Sequence, residues 1–314
     1  MIALGIESTA HTFGVGIVKK NGKILANVKE TYKSMGLVPR ELFDHHCKKA
    51  ALIIKEAFIK ANLKFEDIDL ISFSQGPGIG NALIVGATIA RLISLKYNIP
   101  LVPVNHCLAH ILIGKKLTNC KDPIVIYASG ANTQIIGYEN KRYRIYGETL
   151  DIGIGNLLDM FGRALGIKFP AGPELSKIYY KAKNYIDLPY TVKGMDFAFS
   201  GLYTAAINKI NRVNKEDLIF SLLHNAFAML TEVAERALSH SEKKELLVAG
   251  GVCCSKPLQE MLAEMCKERK IRLCIPPNDV LVDNGTMIAY AGFFSKPVPI
   301  EKSKIKPKQR IDEI

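Results

Sequence analysis

The chain has 314 residues, of which 48% are hydrophobic, and a formal net charge of +12. That length and apolar content are enough for one or two ample cores, which excludes a small scaffold held together by disulfides or structural metal. No run of about 18 uninterrupted apolar residues is present to cross a bilayer, and Met1 leads straight into Ile2 to Gly5 without a basic segment or cleavage site. The expectation is a cytoplasmic protein with no membrane association.

The seven cysteines are odd in number and none forms a C-x-x-C pair, so they read as free thiols in a reducing compartment. The positive balance suits a polyanionic partner, because each phosphate neutralised by Lys or Arg releases counterions. A lysine-rich surface serves solubility equally well. The alternating basic residues Lys302, Lys304, Lys306, Lys308 and Arg310 likewise read either as an RNA contact or as a solvated, partly ordered terminus.

In chain order, Ile2 to Glu7 and Phe13 to Lys19 are short β-rich runs around the polar turn Ser8-Thr9-Ala10-His11-Thr12. A third run near Ile24 to Val28 follows Asn21-Gly22, which predicts an antiparallel meander. A helix is expected from Pro39 to Ala61, then a buried strand from Leu70 to Ser74, a Gly/Pro loop, and a helix to about Tyr97. Val102 to Val104 leads into a helix containing His106 and His110.

The pattern then restarts. Pro123 to Ala128 and Gln134 to Tyr138 flank Ser129-Gly130-Ala131-Asn132-Thr133, with a third strand near Tyr143 to Glu148. Two segments that open alike point to an internal duplication without a sequence repeat. Short turns of Ser, Thr and Gly between paired strands present backbone N–H groups suited to phosphate, although such turns also serve as plain hairpin connectors. Farther on, a strand from Glu245 to Ala249 ends in Gly250-Gly251 and a helix begins near Ser255. Those glycines read either as a cradle for a flat ligand or as a tight strand-to-helix turn.

Asn105-His106-Cys107-Leu108-Ala109-His110 sets two imidazoles one helical turn apart, about 6 Å along the axis, so both could reach one metal ion. A complete set needs oxygen donors from elsewhere. Asp283, between an apolar run and a helix start, reads as one of these or as an ordinary N-cap. The same spacing occurs in the zinc-peptidase helix H-E-x-x-H, but Cys107 stands where the general base would be. A metal-dependent peptidase (glycoprotease) therefore remains only as an alternative.

Gly5 to Thr12, Asp44-His45-His46, Ser74 to Gly78, Val104 to His110, Phe199-Ser200-Gly201-Leu202, Gly250-Gly251-Val252 and Asp283-Asn284-Gly285 together resemble the ordered motif series of the TsaD family. The archaeal-type member of that family is the catalytic subunit of the KEOPS complex. The resemblance implies an α/β actin-like, Hsp70-like ATPase (ribonuclease H-like) fold, with two duplicated lobes around a central nucleotide cleft. The lobes would comprise 1–112 plus 288–314, and 113–287. The implied activity is transfer of threonylcarbamoyl from threonylcarbamoyl-adenylate to the exocyclic amine of the adenosine 3′ of the anticodon, in tRNAs reading codons that begin with A.

The resemblance further implies one divalent metal, Fe2+ or Zn2+, on His106, His110, Tyr127 and Asp283. ATP or the adenylate would be gripped by Tyr127, Ala128, Ser129, Gly130, Ala131, Asp159, Gly172, Ser176, Gly250, Gly251 and Ser255. Expected partners are tRNA and KEOPS-type subunits, namely a small kinase/ATPase and a small dimerising subunit. The chain departs from the family pattern in three places. Ala131 replaces the second glycine of the phosphate turn, Ser255 replaces an asparagine, and Ser176 replaces the glutamate of archaeal relatives. If Ala131 needed positive φ it would cost roughly 1 kcal/mol, so a looser nucleotide grip is expected. A catalytically degenerate scaffold or ATPase of the same fold is the remaining alternative.

Overall fold

The computed structural model describes residues 1–33 and 38–314. The chain opens with the strands β1 (Ile2–Glu7), β2 (Thr12–Lys19) and β3 (Ile24–Thr31). There follow the helix α1 (Pro39–Ala61), β4 (Leu70–Gly76), α2 (Gly80–Tyr97), β5 (Leu101–Asn105) and α3 (His106–Thr118). Next come β6 (Ile124–Ala128), β7 (Thr133–Glu139), β8 (Arg142–Glu148), α4 (Ile154–Ala164) and α5 (Gly172–Ile178). A two-residue hairpin, β9 (Val192–Lys193) and β10 (Asp196–Phe197), precedes α6 (Ser200–Ile207) and α7 (Lys215–Ser241). The chain closes with β11 (Glu245–Ala249), α8 (Lys256–Arg269), β12 (Arg272–Cys274), α9 (Asn278–Leu281) and α10 (Gly285–Gly292).

Two compact units result, 1–119 with 282–314 and 120–281. The sequence-based boundary at 112/113 falls inside α3, which runs on to Thr118. The boundary at 287/288 falls inside α10, which packs on the first unit's β1 and β2.

The first unit has a five-stranded sheet in the order β3-β2-β1-β4-β5. β1, β2 and β3 pair antiparallel, whereas β4 and β5 join in parallel. The second sheet repeats this plan as β12-β11-β6-β7-β8, with β6, β7 and β8 antiparallel and β11 and β12 parallel. The duplication is thus one of topology, which is why periodicity in the sequence reveals it only through the repeated meander.

Strand alternation places the core of the first unit. Side chains of a strand point to opposite faces in turn, so Leu4 and Ile6 share one face of β1 while Gly5 and Glu7 share the other. Leu4 and Ile6 join Val15 and Ile17 in a buried cluster with Ala50, Ile53 and Ala57 of α1 and Val85 and Ala90 of α2. The other face has no side chain where Gly5 pairs with Gly16, and α10 lies directly on it. A Cβ at Gly5 would sit 2.2 Å from the Ala289 nitrogen, and one at Gly16 2.2 Å from the Thr286 nitrogen. This bare glycine pair fixes the position of α10 and of the residues that lead into it.

Helices α1, α2 and α3 all end on an asparagine in the left-handed region, Asn62, Asn98 and Asn119. This conformation stops a helix, and asparagine tolerates it better than most residues. The C-terminal stretch is built into the first unit rather than left as a loose terminus. Lys306 N–H donates to Gln75 O at 2.7 Å, Gly78 N–H to Pro307 O at 3.1 Å, and Gln75 Nε2 to Lys304 O at 2.7 Å. The side chains of Lys302, Lys304, Lys306, Lys308 and Arg310 remain exposed.

In the second unit α7 supplies the core. Leu222, Phe227, Leu230, Val233 and Ala234 pack with Ile124 and Ile126 of β6 and with Leu246 and Val248 of β11. Among the described residues α7 is the one helix long and apolar enough to cross a membrane, and 78% of its apolar stretch is buried inside the protein.

Candidate metal centre and nucleotide turn

The two histidines stand at the start of α3, whose N-cap Asn105 accepts a hydrogen bond from Leu108 N–H at 3.0 Å. One turn apart on the helix, the rings lie 4.8 Å between centroids at an interplanar angle of 84°. Both are buried. Asp283 reaches them because α10 is seated on the glycine pair. Asn284, not Asp283, caps α10, accepting from Met287 N–H at 3.0 Å while its Nδ2 donates to Val282 O at 2.8 Å. The ordinary N-cap role once open to Asp283 thus belongs to its neighbour, and Asp283 is left to face the imidazoles.

His106 Nε2 lies 3.5 Å from Asp283 Oδ1, and His110 Nε2 lies 3.4 Å from the same oxygen. Donors that share a tetrahedral ion at 2.0–2.2 Å are separated by about 3.3–3.6 Å. The three residues therefore fit a single divalent ion in both donor type and spacing, with all ligand atoms within 4.8 Å of one another.

Glu7, which the sequence reading did not single out as a site residue, orients the first ligand. It is fully buried, on the face of β1 that it shares with Gly5. Its Oε2 accepts from His106 Nδ1–H at 2.9 Å, and its Oε1 accepts from Thr9 N–H at 2.6 Å and from the Thr9 hydroxyl. A proton held on Nδ1 leaves Nε2 as the nitrogen that presents a lone pair, the usual arrangement behind a metal-bound imidazole. The available signal was strand alternation, which puts Glu7 on the same side as Gly5.

The electrostatics follow from these contacts. Burial pulls the His106 imidazole down, but the charge and hydrogen bond of Glu7, with Asp283 beyond, override it and push the group up to about 9. Burial dominates at His110 and lowers it against the opposing hydrogen bond that it donates to Asp283. Burial alone would raise the Asp283 carboxyl, yet the His110 hydrogen bond and the charges of His106 and His11 hold it well below the usual carboxylate range.

Tyr127 belongs to the second unit, buried on β6. Beyond it Ala128 leads into the turn Ser129 to Asn132, closed by Ser129 N–H donating to Asn132 O at 2.9 Å. The first amides of α4 are stitched to this turn. Ile154 N–H donates to Thr133 Oγ1 at 2.8 Å, Gly155 N–H to Ser129 O at 3.1 Å and Asn156 N–H to Gly130 O at 2.8 Å. The N–H groups of Gly130 and Ala131 make no hydrogen bond among the described residues, and both residues are exposed. Gly153 was also missed; a Cβ there would lie 2.4 Å from Ala131 O, and the run Gly153-Ile154-Gly155 was the available signal.

Ala131 lies outside the left-handed region, so the strain anticipated for it is absent. Asp159 Oδ1 accepts from Ala171 N–H at 2.8 Å, tying α4 to the start of α5 at Gly172. The other two departures form a pair, with Ser176 Oγ 2.9 Å from Ser255 Oγ, linking α5 to the N-cap of α8. Gly250 takes φ of 93°, and a Cβ on it would meet Ala128 O at 2.3 Å. Its glycine is therefore required by the close approach of β6 and β11, while Gly251, itself exposed, opens a single turn beyond it.

The family model described as TsaD, tRNA N6-adenosine threonylcarbamoyltransferase, matches residues 23–290. A protein of Thermococcus sibiricus with the name tRNA N6-adenosine threonylcarbamoyltransferase is 48% identical over 322 residues, covering 100% of this chain and 99% of the relative. A protein of Methanocaldococcus jannaschii named as a probable bifunctional tRNA threonylcarbamoyladenosine biosynthesis protein is 46% identical, covering 100% of this chain and 60% of the relative. Among solved structures, Thermococcus kodakarensis HypF superposes with a TM-score of 0.65 at 16% identity, over 93% of this chain and 47% of that one. The fold is that of the actin-like ATPases, and the chain belongs to the TsaD family of tRNA N6-adenosine threonylcarbamoyltransferases.

Proposed function

We propose that this chain transfers the threonylcarbamoyl group of threonylcarbamoyl-adenylate to the exocyclic amine of the adenosine 3′ of the anticodon, in tRNAs reading codons that begin with A. The observation that carries this reading is the convergence of His106 and His110 on Asp283, in a chain 48% identical over its whole length to a relative with that name. His106, His110 and Asp283, joined by Tyr127, would hold one divalent ion. A mixed nitrogen and oxygen set accepts iron or zinc. The ion, when bound, supplies Lewis-acid polarisation of the acyl oxygen or an anchor for the threonyl carboxylate.

The remaining work falls to the chain's own groups. The unengaged amides of Gly130 and Ala131, flanked by Ala128 and Ser129, receive the adenylate phosphate. Asp159 takes the ribose, and Gly172, Ser176, Gly250, Gly251 and Ser255 border the nucleoside; ATP would occupy the same residues. The substrate is a mixed anhydride that already carries its leaving group, so placement is the main task. The adenosine amine attacks the carbonyl carbon, the bond to the phosphate oxygen breaks, AMP departs with the electron pair, and the amine proton passes to solvent. Cys107, at the position of the zinc-peptidase base, is a buried thiol, which leaves the peptidase alternative without its catalytic group.

The positive balance of +12 draws tRNA by neutralising phosphates. Leu52 and Ile59 of α1 and Ile84, Leu92 and Leu95 of α2 are exposed, an apolar helical face suited to a KEOPS-type dimerising subunit, with a small kinase/ATPase elsewhere in the assembly. The seven cysteines, none of them in a disulfide, suit the cytoplasm. Incubation with tRNA, threonine, bicarbonate, ATP and an adenylate-forming enzyme, with KEOPS-type subunits added, should yield threonylcarbamoyladenosine by nucleoside mass spectrometry. Unmodified adenosine despite bound metal and accumulated adenylate would overturn the reading.

A further inference from the structure

The second unit gathers another set of soft and hard donors, away from the residues assigned to nucleotide or metal above. Cys120 precedes β6, Glu245 opens β11 and Cys274 closes β12, with β11 lying between β6 and β12 in the sheet. The two sulfurs and a Glu245 oxygen lie within 4.8 Å of one another. Both thiols are buried.

Glu245 is held from its other side. Its Oε2 accepts from Lys121 N–H at 2.7 Å and Asp122 N–H at 2.9 Å, and its Oε1 accepts from Arg272 Nη1 at 3.0 Å. The two amides directly follow Cys120, so the carboxylate that adjoins the thiols also clamps the loop carrying one of them.

We propose that Cys120, Cys274 and Glu245 form a second metal site, selective for a thiophilic divalent ion of the zinc class. With metal–sulfur distances of about 2.3 Å and metal–oxygen distances of about 2.0–2.2 Å, tetrahedral donors stand roughly 3.4–3.8 Å apart. A small contraction of the existing cluster reaches that spacing, and water completes the fourth position. Two thiols each lose a proton on binding, so M2+ with two R–SH and one R–COO− gives a complex of charge −1 and releases two H+. Arg272 offsets the residual charge. Each thiol must give up its proton to bind, so uptake strengthens as pH rises. The bound ion would cross-link the start of the unit to β11 and β12, a structural clamp independent of the transfer reaction.

Co2+ titration of the reduced full-length protein tests this, with thiol counting to verify all seven cysteines. The expected result is a near-ultraviolet thiolate-to-cobalt band that saturates at one equivalent, is lost in Cys120→Ser and in Cys274→Ser, and persists in His110→Ala. Zinc content should fall by one equivalent in the same cysteine variants. With all thiols reduced, the absence of any such band in the parent protein overturns the proposal. So does a band that survives in both cysteine variants.

Discussion

His106 Nδ1 and Glu7 Oε2 are 2.9 Å apart, and this buried pair decides which ring nitrogen faces Asp283. Replacing Glu7 removes no ligand, so any loss of metal must come from the orientation of the imidazole. Changes of this kind typically cost 10- to 100-fold in affinity. Glu7→Gln should therefore weaken Zn2+ binding by about 10- to 100-fold, as read by calorimetric titration. Unchanged affinity would mean that α3 alone orients the ring.

The bare glycine pair beneath α10 makes a sharper prediction about assembly. Gly16→Ala puts a methyl group 2.2 Å from the Thr286 nitrogen, a backbone atom that cannot yield without shifting α10. Overpacking of this kind costs about 1–3 kcal/mol or more, and displaced Asp283 should lower metal affinity in parallel. Gly201→Ala, whose Cβ meets nothing within 4 Å on α6, is the control. It should be neutral or stabilising by about 0.5–1 kcal/mol. Urea denaturation of both variants checks the pair.

His46 gives the protein a pH-dependent stability term. Its Nε2–H donates to Ala10 O at 2.9 Å, and burial lowers its pKa to about 4. The unfolded chain takes up that proton below about 6.5, whereas the folded chain does so only near 4. The contribution is therefore complete above pH 6.5 and declines by up to about 3 kcal/mol as pH falls towards 4. The urea midpoint of His46→Gln should depend less on pH than the parent's between pH 7.5 and 4.5. Parallel profiles would remove His46 as the source.

Much of the first unit was legible because its signals are local. The meander, α1, α2 and the paired histidines follow from alternation, helical periodicity and spacing. Glu7 and Asn284 were not, because their roles arise only once Gly5 and Gly16 let α10 approach the sheet. The helices of 154–241 were likewise unassigned, since their apolar faces become interpretable only around the buried α7. Ala131 shows the opposite error. A substituted glycine suggested strain, yet the backbone there lies outside the left-handed region. Ala131→Gly should accordingly leave adenylate affinity unchanged or slightly weaker, and calorimetry that shows tighter binding would restore the strained-turn account.

The most direct test of the central claim compares the parent protein with His110→Ala in transfer from preformed threonylcarbamoyl-adenylate to tRNA. His110 is preferred to His106 because losing His106 would leave the Glu7 carboxylate buried without its imidazole, confusing loss of fold with loss of metal. Each protein is stripped with chelator, reloaded with Fe2+ or Zn2+, and followed by metal analysis and nucleoside mass spectrometry. The account predicts modified adenosine only in the reloaded parent, with His110→Ala folded but depleted of metal at that centre and inactive. Transfer by His110→Ala at the parent's rate, without metal at that centre, would contradict it.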